Sequence, residues 1–174
     1  MVRNALRYLR RGAVVTVPDL DPNQTLLDHL RLDRRETGTK EGCNEGDCGA
    51  CTVVLARIRH EKLVYEPVNA CILLAGQIDG TELITIDDLA RDGALHPIQQ
   101  AMVQHHGSQC GFCTPGIVMS LFSLYHRENG SVSRADVNDH LAGNLCRCTG
   151  YRPIVDAALE VCADRAADAF TRDA

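Results

Sequence analysis

Eight of the nine cysteines in this chain fall into two tight quartets, a pattern that strongly restricts what the chain can fold around. The first quartet lies in the segments GCNEGDCGACTV and NACILL, and the second in SQCGFCTPG and NLCRCTG. Four thiolates per site is the ligand number of a small iron–sulfur cluster, and Cys-x4-Cys-x2-Cys with a distant fourth cysteine is the plant-type [2Fe–2S] spacing. We therefore expect an electron-transfer protein with two [2Fe–2S] clusters. The expected ligands are Cys43, Cys48, Cys51 and Cys71 for the first cluster, and Cys110, Cys113, Cys146 and Cys148 for the second.

Two other uses of clustered cysteines fit the pattern less well. A disulfide framework is typical of secreted proteins, but the N-terminal segment MVRNALRYLRRGAVVTV has arginines spread through it and does not resemble a secretory signal. Structural zinc sites favour paired Cys-x2-Cys knuckles, whereas only one residue separates Cys146 from Cys148. Zinc remains an alternative, and the chain would then be a non-catalytic interaction module.

Composition argues against several classes of partner. The net charge is −5, and no basic run is interleaved with aromatic residues, so we expect no nucleic acid partner. No apolar stretch approaches the roughly 20 residues that span a bilayer, so we expect no membrane partner. The lack of a secretory signal favours a cytoplasmic location. The 174 residues suffice for two small domains with thin cores, each stabilised by its metal site.

Residues 1–85 predict a small β-grasp sheet of the plant-type ferredoxin class, the first half of an α+β protein. Strands are expected at residues 4–9, 13–17, 52–58, 62–65 and 83–86, with Pro67 ending the fourth. Thr25 is expected to cap a short helix. The apolar side of that helix would consist of Leu26, Leu27, Leu30 and Leu32.

The predicted cluster loop, residues 38–50, is rich in glycine. Gly42, Gly46 and Gly49 alternate with the cysteines. Small residues let backbone N–H groups approach an anionic cluster, so these glycines are candidate cofactor-binding positions.

Residues 86–168 predict an all-α domain of four helices, followed by a tail or linker at 169–174. The start signals are Pro97 after His96, Thr114 with Pro115, Ser133 with Asp136, and Pro153. The helices are expected to end near residues 105, 127, 142 and 167.

Both cysteine pairs of the second quartet precede a helix that begins with proline. Helix N-termini offer free N–H groups and partial positive charge, so two facing helix starts would hold an anionic cluster. Arg147, between two ligands, is interpreted as a surface residue, and Cys162 as a small buried apolar residue. The histidines lack ligand partners in the sequence, and His96 is interpreted as a polar helix-end residue.

Three segments, TGTKEGCNEGDCGACTV, HPIQQAMVQHHGSQCGFCTPGIVMS and LAGNLCRCTGYRPI, resemble the iron–sulfur subunit or domain of the molybdenum hydroxylases. This is the family of xanthine dehydrogenase and aldehyde oxidase, and the resemblance covers nearly all of residues 1–165. The forms NEGDCGAC and HHGSQCGFCTPG are more similar to the xanthine dehydrogenases than to the carbon-monoxide or isoquinoline enzymes of the family.

The resemblance implies partners for purine oxidation. A large molybdopterin-binding subunit would hold the catalytic residues and hydroxylate the purine. We therefore expect no catalytic residues in this chain. Electrons would pass through the helical-domain cluster, the plant-type cluster and FAD to NAD⁺. Gln109 and Cys148 would face the pterin. FAD would lie on another subunit or domain, since this chain has no Gly-rich βα fingerprint, and the assembled heteromer would be a dimer.

Two further functions remain possible within the same chemistry. The same electron conduit could serve an aldehyde or N-heterocycle hydroxylase, whose substrate site would lie on the partner. A free-standing ferredoxin is less consistent with the sequence, because a soluble shuttle needs only one cluster.

Overall fold

The N-terminal part of the chain forms a five-stranded mixed sheet with the strand order β2-β1-β5-β3-β4. The structure, a computed structural model, describes residues 5–127, 131–165 and 168–171. β1 runs antiparallel to β2 and parallel to β5, while β3 runs antiparallel to both β4 and β5. This topology confirms the predicted β-grasp. The strands are β1 (Ala5–Arg10), β2 (Ala13–Pro18), β3 (Thr52–Arg59), β4 (Lys62–Asn69) and β5 (Glu82–Ile84).

Strand β3 is buried on both faces, because a layer of helix covers each side of the sheet. Val53 and Leu55 pack with the leucines of the first helix, whereas Val54 and Ala56 pack with the C-terminal helices. A strand covered on both faces has a continuous apolar sequence, as in TVVLA. The two halves of the chain therefore pack against opposite faces of the same sheet.

The first helix, α1 (Leu26–Asp28), is short and continues as a π-helical turn over His29–Asp33. The Thr25 hydroxyl accepts the Asp28 N–H at 3.0 Å, which is the predicted cap. The expectation that Leu32 lies on the apolar side is wrong, since its side chain is 69% exposed. The wider π turn changes the angular spacing of the residues and moves Leu32 away from the sheet.

Two predicted strand ends also differ from the structure. Pro67 does not end β4 but pairs with Val54, because β4 is an edge strand where a missing N–H can face away from its neighbour. Ile86 does not belong to β5. Thr85 and Asp88 form a capping box there that starts the 3₁₀ turn Ile86–Asp88.

Four helices follow, as the sequence predicts: α2 (Pro97–Gln104), α3 (Thr114–Tyr125), α4 (Arg134–His140) and α5 (Arg152–Ala163). The predicted capping box of α4 is present, with Ser133 Oγ accepting the Asp136 N–H at 3.2 Å. The cap of α3 is Cys113, so Thr114 is its first residue. All four helices end earlier than predicted, and residues 166–167 lie outside the described part. No helix in the described ranges is long and apolar enough to cross a membrane.

The segment 168–171 packs against both halves of the chain. Phe170, which lies in the expected tail, is only 2% exposed and meets Phe122 edge-to-face at 5.0 Å between ring centroids. Its carbonyl accepts a hydrogen bond from the Tyr65 hydroxyl of β4. Part of the expected tail is therefore core, and residues 172–174 lie outside the described part.

A buried arginine connects β1 to the segment where the two halves meet. Arg10, 4% exposed, pairs with Asp88 at 3.3 Å, pairs with Glu36, and donates to Thr85 Oγ1 at 3.0 Å. Burial lowers the pKa of Arg10, but the two carboxylates raise it by a larger amount, so the net pKa shift is upward. Arg11 pairs with the same Asp88 from a half-exposed position.

Replacing Arg10 with Ala should lower the free energy of unfolding by about 3–5 kcal/mol, because the change leaves a buried carboxylate without its main counter-charge. Arg11→Ala is the matched control, since it removes an exposed partner of the same carboxylate and should cost at most about 1 kcal/mol. Chemical denaturation of both variants measures the difference. Equal losses would contradict a dominant role for Arg10.

Candidate metal centres

The first cysteine site lies in the loop between α1 and β3 and is closed by the turn after β4. Cys43 Sγ lies 3.3 Å from the N–H nitrogens of both Asp47 and Cys48. The N–H groups of Glu45, Cys48 and Asp47 lower the pKa of Cys43 to about 6. The loop backbone therefore stabilises a thiolate at this position, as a metal ligand requires.

The other two thiols of this site are buried at the ends of the β3–β4 hairpin. The Ala70 N–H donates to the Cys51 carbonyl at 3.3 Å, which brings Cys51 and Cys71 together. Burial, with a smaller contribution from the neighbouring Cys71 thiol, raises the pKa of Cys51 to about 12. Two buried thiols in contact need a positive charge to ionise together, and a bound metal supplies it.

The three loop glycines are required for different reasons. A methyl group on Gly42 would lie 2.8 Å from Cys48 Sγ, and one on Gly46 would lie 2.6 Å from Ile72 Cδ1. Gly42 therefore keeps side-chain bulk away from a sulfur, whereas Gly46 leaves room for the Ile72 side chain beside Cys71. Gly49 instead faces the second half of the chain, since its methyl would lie 2.2 Å from the Gly143 carbonyl oxygen.

The second site is formed by two loops that lead into α3 and α5, as the sequence predicts. Cys148 Sγ and Cys110 Sγ are 3.6 Å apart and exposed, whereas Cys113 and Cys146 are half-buried. Burial, followed by contact with Cys146, raises the pKa of Cys113 to about 12. The Phe112 N–H lowers the pKa of Cys110.

The eight thiols are arranged as four pairs of neighbours, two at each site, and the two sulfurs of the Cys110–Cys148 pair lie 3.6 Å apart. The pairs are Cys43 with Cys48, Cys51 with Cys71, Cys110 with Cys148, and Cys113 with Cys146. Among the described residues, no three cysteine sulfurs lie within 4.8 Å of one another. Four sulfurs around one zinc ion would be about 3.8 Å apart, given Zn–S bonds of about 2.3 Å. Two pairs per site instead fit two iron atoms, each with two thiolate ligands.

A third cluster of potential metal ligands is better explained by hydrogen bonding. His96, His126 and Asp168 approach one another, although the sequence interpretation gave His96 no partner. His96 Nδ1 accepts the Ile98 N–H at 3.2 Å, so the neutral ring carries its proton on Nε2, which lies 2.7 Å from Asp168 Oδ2. That nitrogen has no free lone pair for a metal. The group therefore fixes the 168–171 segment and is not a metal site.

The remaining candidate residues lie where a partner could reach them or where they can fill space. Gln109 and Cys148, expected to face a pterin, are both exposed, as is Arg147. Cys162 is 6% exposed in α5 and belongs to the core, as predicted.

Two polar residues of the second site were missed by sequence reasoning. The Tyr151 hydroxyl accepts the Cys146 N–H at 2.7 Å and donates to the Asn144 carbonyl at 2.9 Å, which fixes the loop before the ligands. Asn144 is 4% exposed and contacts the first half of the chain. Their only sequence signal is their position beside the Cys-x-Cys pair.

Comparison with known proteins matches both halves to iron–sulfur families. The family described as 2Fe-2S iron-sulfur cluster binding domain matches residues 11–75, and the family described as [2Fe-2S] binding domain matches residues 85–159.

Three similar proteins cover most of this chain. Xanthine dehydrogenase of Blastobotrys adeninivorans is 46% identical over 89% of this chain, which spans 11% of that protein's length. Quinoline 2-oxidoreductase of Pseudomonas putida 86 is 34% identical, with a TM-score of 0.76, over 91% of this chain and 95% of the solved chain. Aldehyde oxidoreductase of Desulfovibrio desulfuricans ATCC 27774 is 37% identical, with a TM-score of 0.80, over 92% of this chain and 17% of the solved chain.

Replacing one ligand in either quartet should remove one site's metal and leave the other. We expect Cys71→Ala and Cys113→Ala each to lower the iron content from about four to about two atoms per chain, because each site would lose a thiolate. Cys162→Ala is the control and should keep all the iron. Iron, zinc and sulfide analysis with visible absorption measures this, and a zinc-loaded, colourless protein would contradict the assignment.

A methyl group at Gly42 should weaken the first site alone. Gly42→Ala places a carbon 2.8 Å from Cys48 Sγ, so we expect loss of the first site's paramagnetic signal after reduction, with the second retained. Gly143→Ala is the matched control, since its methyl meets no atom within 4 Å. Equal signals in both variants would show that the loop tolerates the added bulk.

Proposed function

Because this chain belongs to the iron–sulfur domains of the molybdenum hydroxylase family, we propose that it is the electron-transfer part of a purine-oxidising enzyme of the xanthine dehydrogenase type. It would carry electrons from a molybdopterin site on a partner to FAD and then NAD⁺. Residues 1–85 would carry the plant-type site and residues 86–168 the helical one.

The observation that carries this proposal is the pairing of the eight thiols. At each site, one pair of sulfurs is more exposed and the other pair is more buried. This arrangement suits two irons rather than one zinc. A bound [2Fe–2S] cluster accepts and releases one electron at a potential that depends on hydrogen bonds and exposure.

The residues of this chain would hold and tune the two sites. The N–H groups of Asp47 and Cys48 donate towards Cys43 Sγ and would stabilise the more negative, reduced form of a bound cluster. Burial at Cys51 would oppose that negative charge. At the second site the Thr149 hydroxyl lies 3.1 Å from Cys146 Sγ. Different donors and different burial should therefore give the two sites different potentials.

Exposure supports the proposed direction of contact with partners. Cys110 and Cys148 form the most exposed pair, and Gln109 precedes Cys110, so this end of the chain would face the pterin. The first site would face the flavin. Reduced thiols are expected in the cytoplasm, and we include a cytoplasmic, heteromeric and dimeric assembly in the proposal.

A second candidate is the same electron conduit in an aldehyde or N-heterocycle hydroxylase. The solved quinoline 2-oxidoreductase chain favours it, because this chain covers 95% of that chain and only 11% of the xanthine dehydrogenase. The higher identity, 46% against 34%, favours the purine enzyme. Assay of the assembled complex with xanthine, an aldehyde and quinoline distinguishes the two candidates.

In the assembled complex, Cys43→Ser should separate substrate oxidation from NAD⁺ reduction. Substrate should still reduce the second site, but NAD⁺ reduction should fall to a small fraction of the native rate, because the route to the flavin is interrupted. Rapid-freeze paramagnetic resonance and NADH absorbance follow the two steps.

Cys162→Ser is the control for that experiment, since it alters a buried thiol outside both sites. NAD⁺ reduction at the native rate in Cys43→Ser would contradict the proposed order. Purification of the native chain without any molybdenum-containing or FAD-containing partner would contradict the proposed enzyme.

A further inference from the structure

Resting on the proposed function, we infer that Asn144 is a positioning residue that fixes the separation of the two cysteine sites. It lies directly before Leu145 and Cys146, at the place where the second site meets the loop of the first. Electron transfer slows steeply with distance, so a contact that fixes this separation affects the rate without touching a ligand.

In the described part of the chain, one backbone hydrogen bond joins the two sites. The Leu145 N–H donates to the Cys48 carbonyl at 2.9 Å. Cys48 belongs to the first quartet, and Cys146, the next residue after Leu145, belongs to the second. The two sulfurs are therefore linked by a short run of covalent bonds and this one hydrogen bond.

The Asn144 side chain holds that contact in place. Its Nδ2 donates to the Gly49 carbonyl at 3.1 Å and lies 3.2 Å from Thr52 Oγ1. Its Oδ1 accepts the Ser120 hydroxyl of α3 at 2.6 Å. Because the amide is buried, removing it leaves the buried Ser120 hydroxyl without its acceptor. It also takes one donor from the Gly49 carbonyl, which keeps the N–H and hydroxyl of Thr52.

Close backbone packing prevents the two loops from moving nearer. A methyl on Gly116 of α3 would lie 2.1 Å from the Gly49 carbonyl oxygen, and a methyl on Gly49 would lie 2.2 Å from the Gly143 oxygen. The glycines set the closest approach, and Asn144 prevents the loops from separating. The spacing is thus limited in both directions.

The test measures the magnetic interaction between the two reduced sites in the metal-loaded chain by paramagnetic resonance at low temperature. We expect Asn144→Ala and Asn144→Asp to keep native iron content and to lose part of the splitting that arises from this interaction. Gly116→Ala, which inserts a methyl against Gly49, should also reduce it. Gly143→Ala should leave it unchanged.

A stability control separates positioning from general weakening. Leu6→Ala removes core volume in β1, which carries neither cysteine loop, and should lower the melting temperature without changing the splitting. If Asn144→Ala lowers the melting temperature as much as this control variant does and the splitting stays native, the inference is overturned.

The remaining outcomes are also decisive. If Asn144→Ala loses iron, the test uses Ser120→Ala, which removes only the hydroxyl that donates to Asn144 Oδ1. An unchanged splitting in Ser120→Ala then overturns the inference. A native chain without iron would instead refute the proposed function. A native chain with two interacting sites that are insensitive to Asn144 and Ser120 would refute this inference alone.

Discussion

The dominant physical constraint in this chain is the crowding of thiolate charge at two places. Four thiols cannot ionise together in a small volume unless donors and metal offset the repulsion. The structure meets this constraint with backbone N–H groups around Cys43 and with the Phe112 N–H beside Cys110, each of which lowers the pKa of its thiol. Glycine at position 42 follows from the same need, because any side chain there would reach Cys48 Sγ.

The sheet and the C-terminal segment hold the two sites in one rigid frame. β3 gives one face to α1 and the other to α3, so the first cysteine loop and the second share a packed support. The Asp168 carboxylate adds a further connection, since it accepts N–H groups from Phe170 and Thr171 while His96 lies 2.7 Å away. Burial raises the pKa of Asp168, but the nearby His126 and His96 rings and the Phe170 N–H together outweigh it, so the pKa is lowered overall.

Local signals predicted most of the fold, and long-range contacts account for what they missed. Thr25 and Ser133 cap helices as expected, because a cap depends on atoms only three residues away. Leu32 and Pro67 were misjudged, since their environments depend on a π turn and on an edge position that no short window of sequence contains. The two quartets were visible from spacing, whereas Asn144 has its partners 95 and 92 residues away at Gly49 and Thr52.

The order of the sulfur pairs favours two sites in series over two independent sites. Cys110 and Cys148 are exposed, whereas Cys113 and Cys146 lie deeper, and Cys146 is one residue from the hydrogen bond to Cys48. Independent sites would need two separate exposed faces and no close connection between them. A buried asparagine with partners on three segments would then have no advantage, since a well-packed apolar contact would stabilise the interface equally without burying a polar group. The polar connection is better explained if the interface must also keep a fixed spacing, as the proposed electron transfer requires.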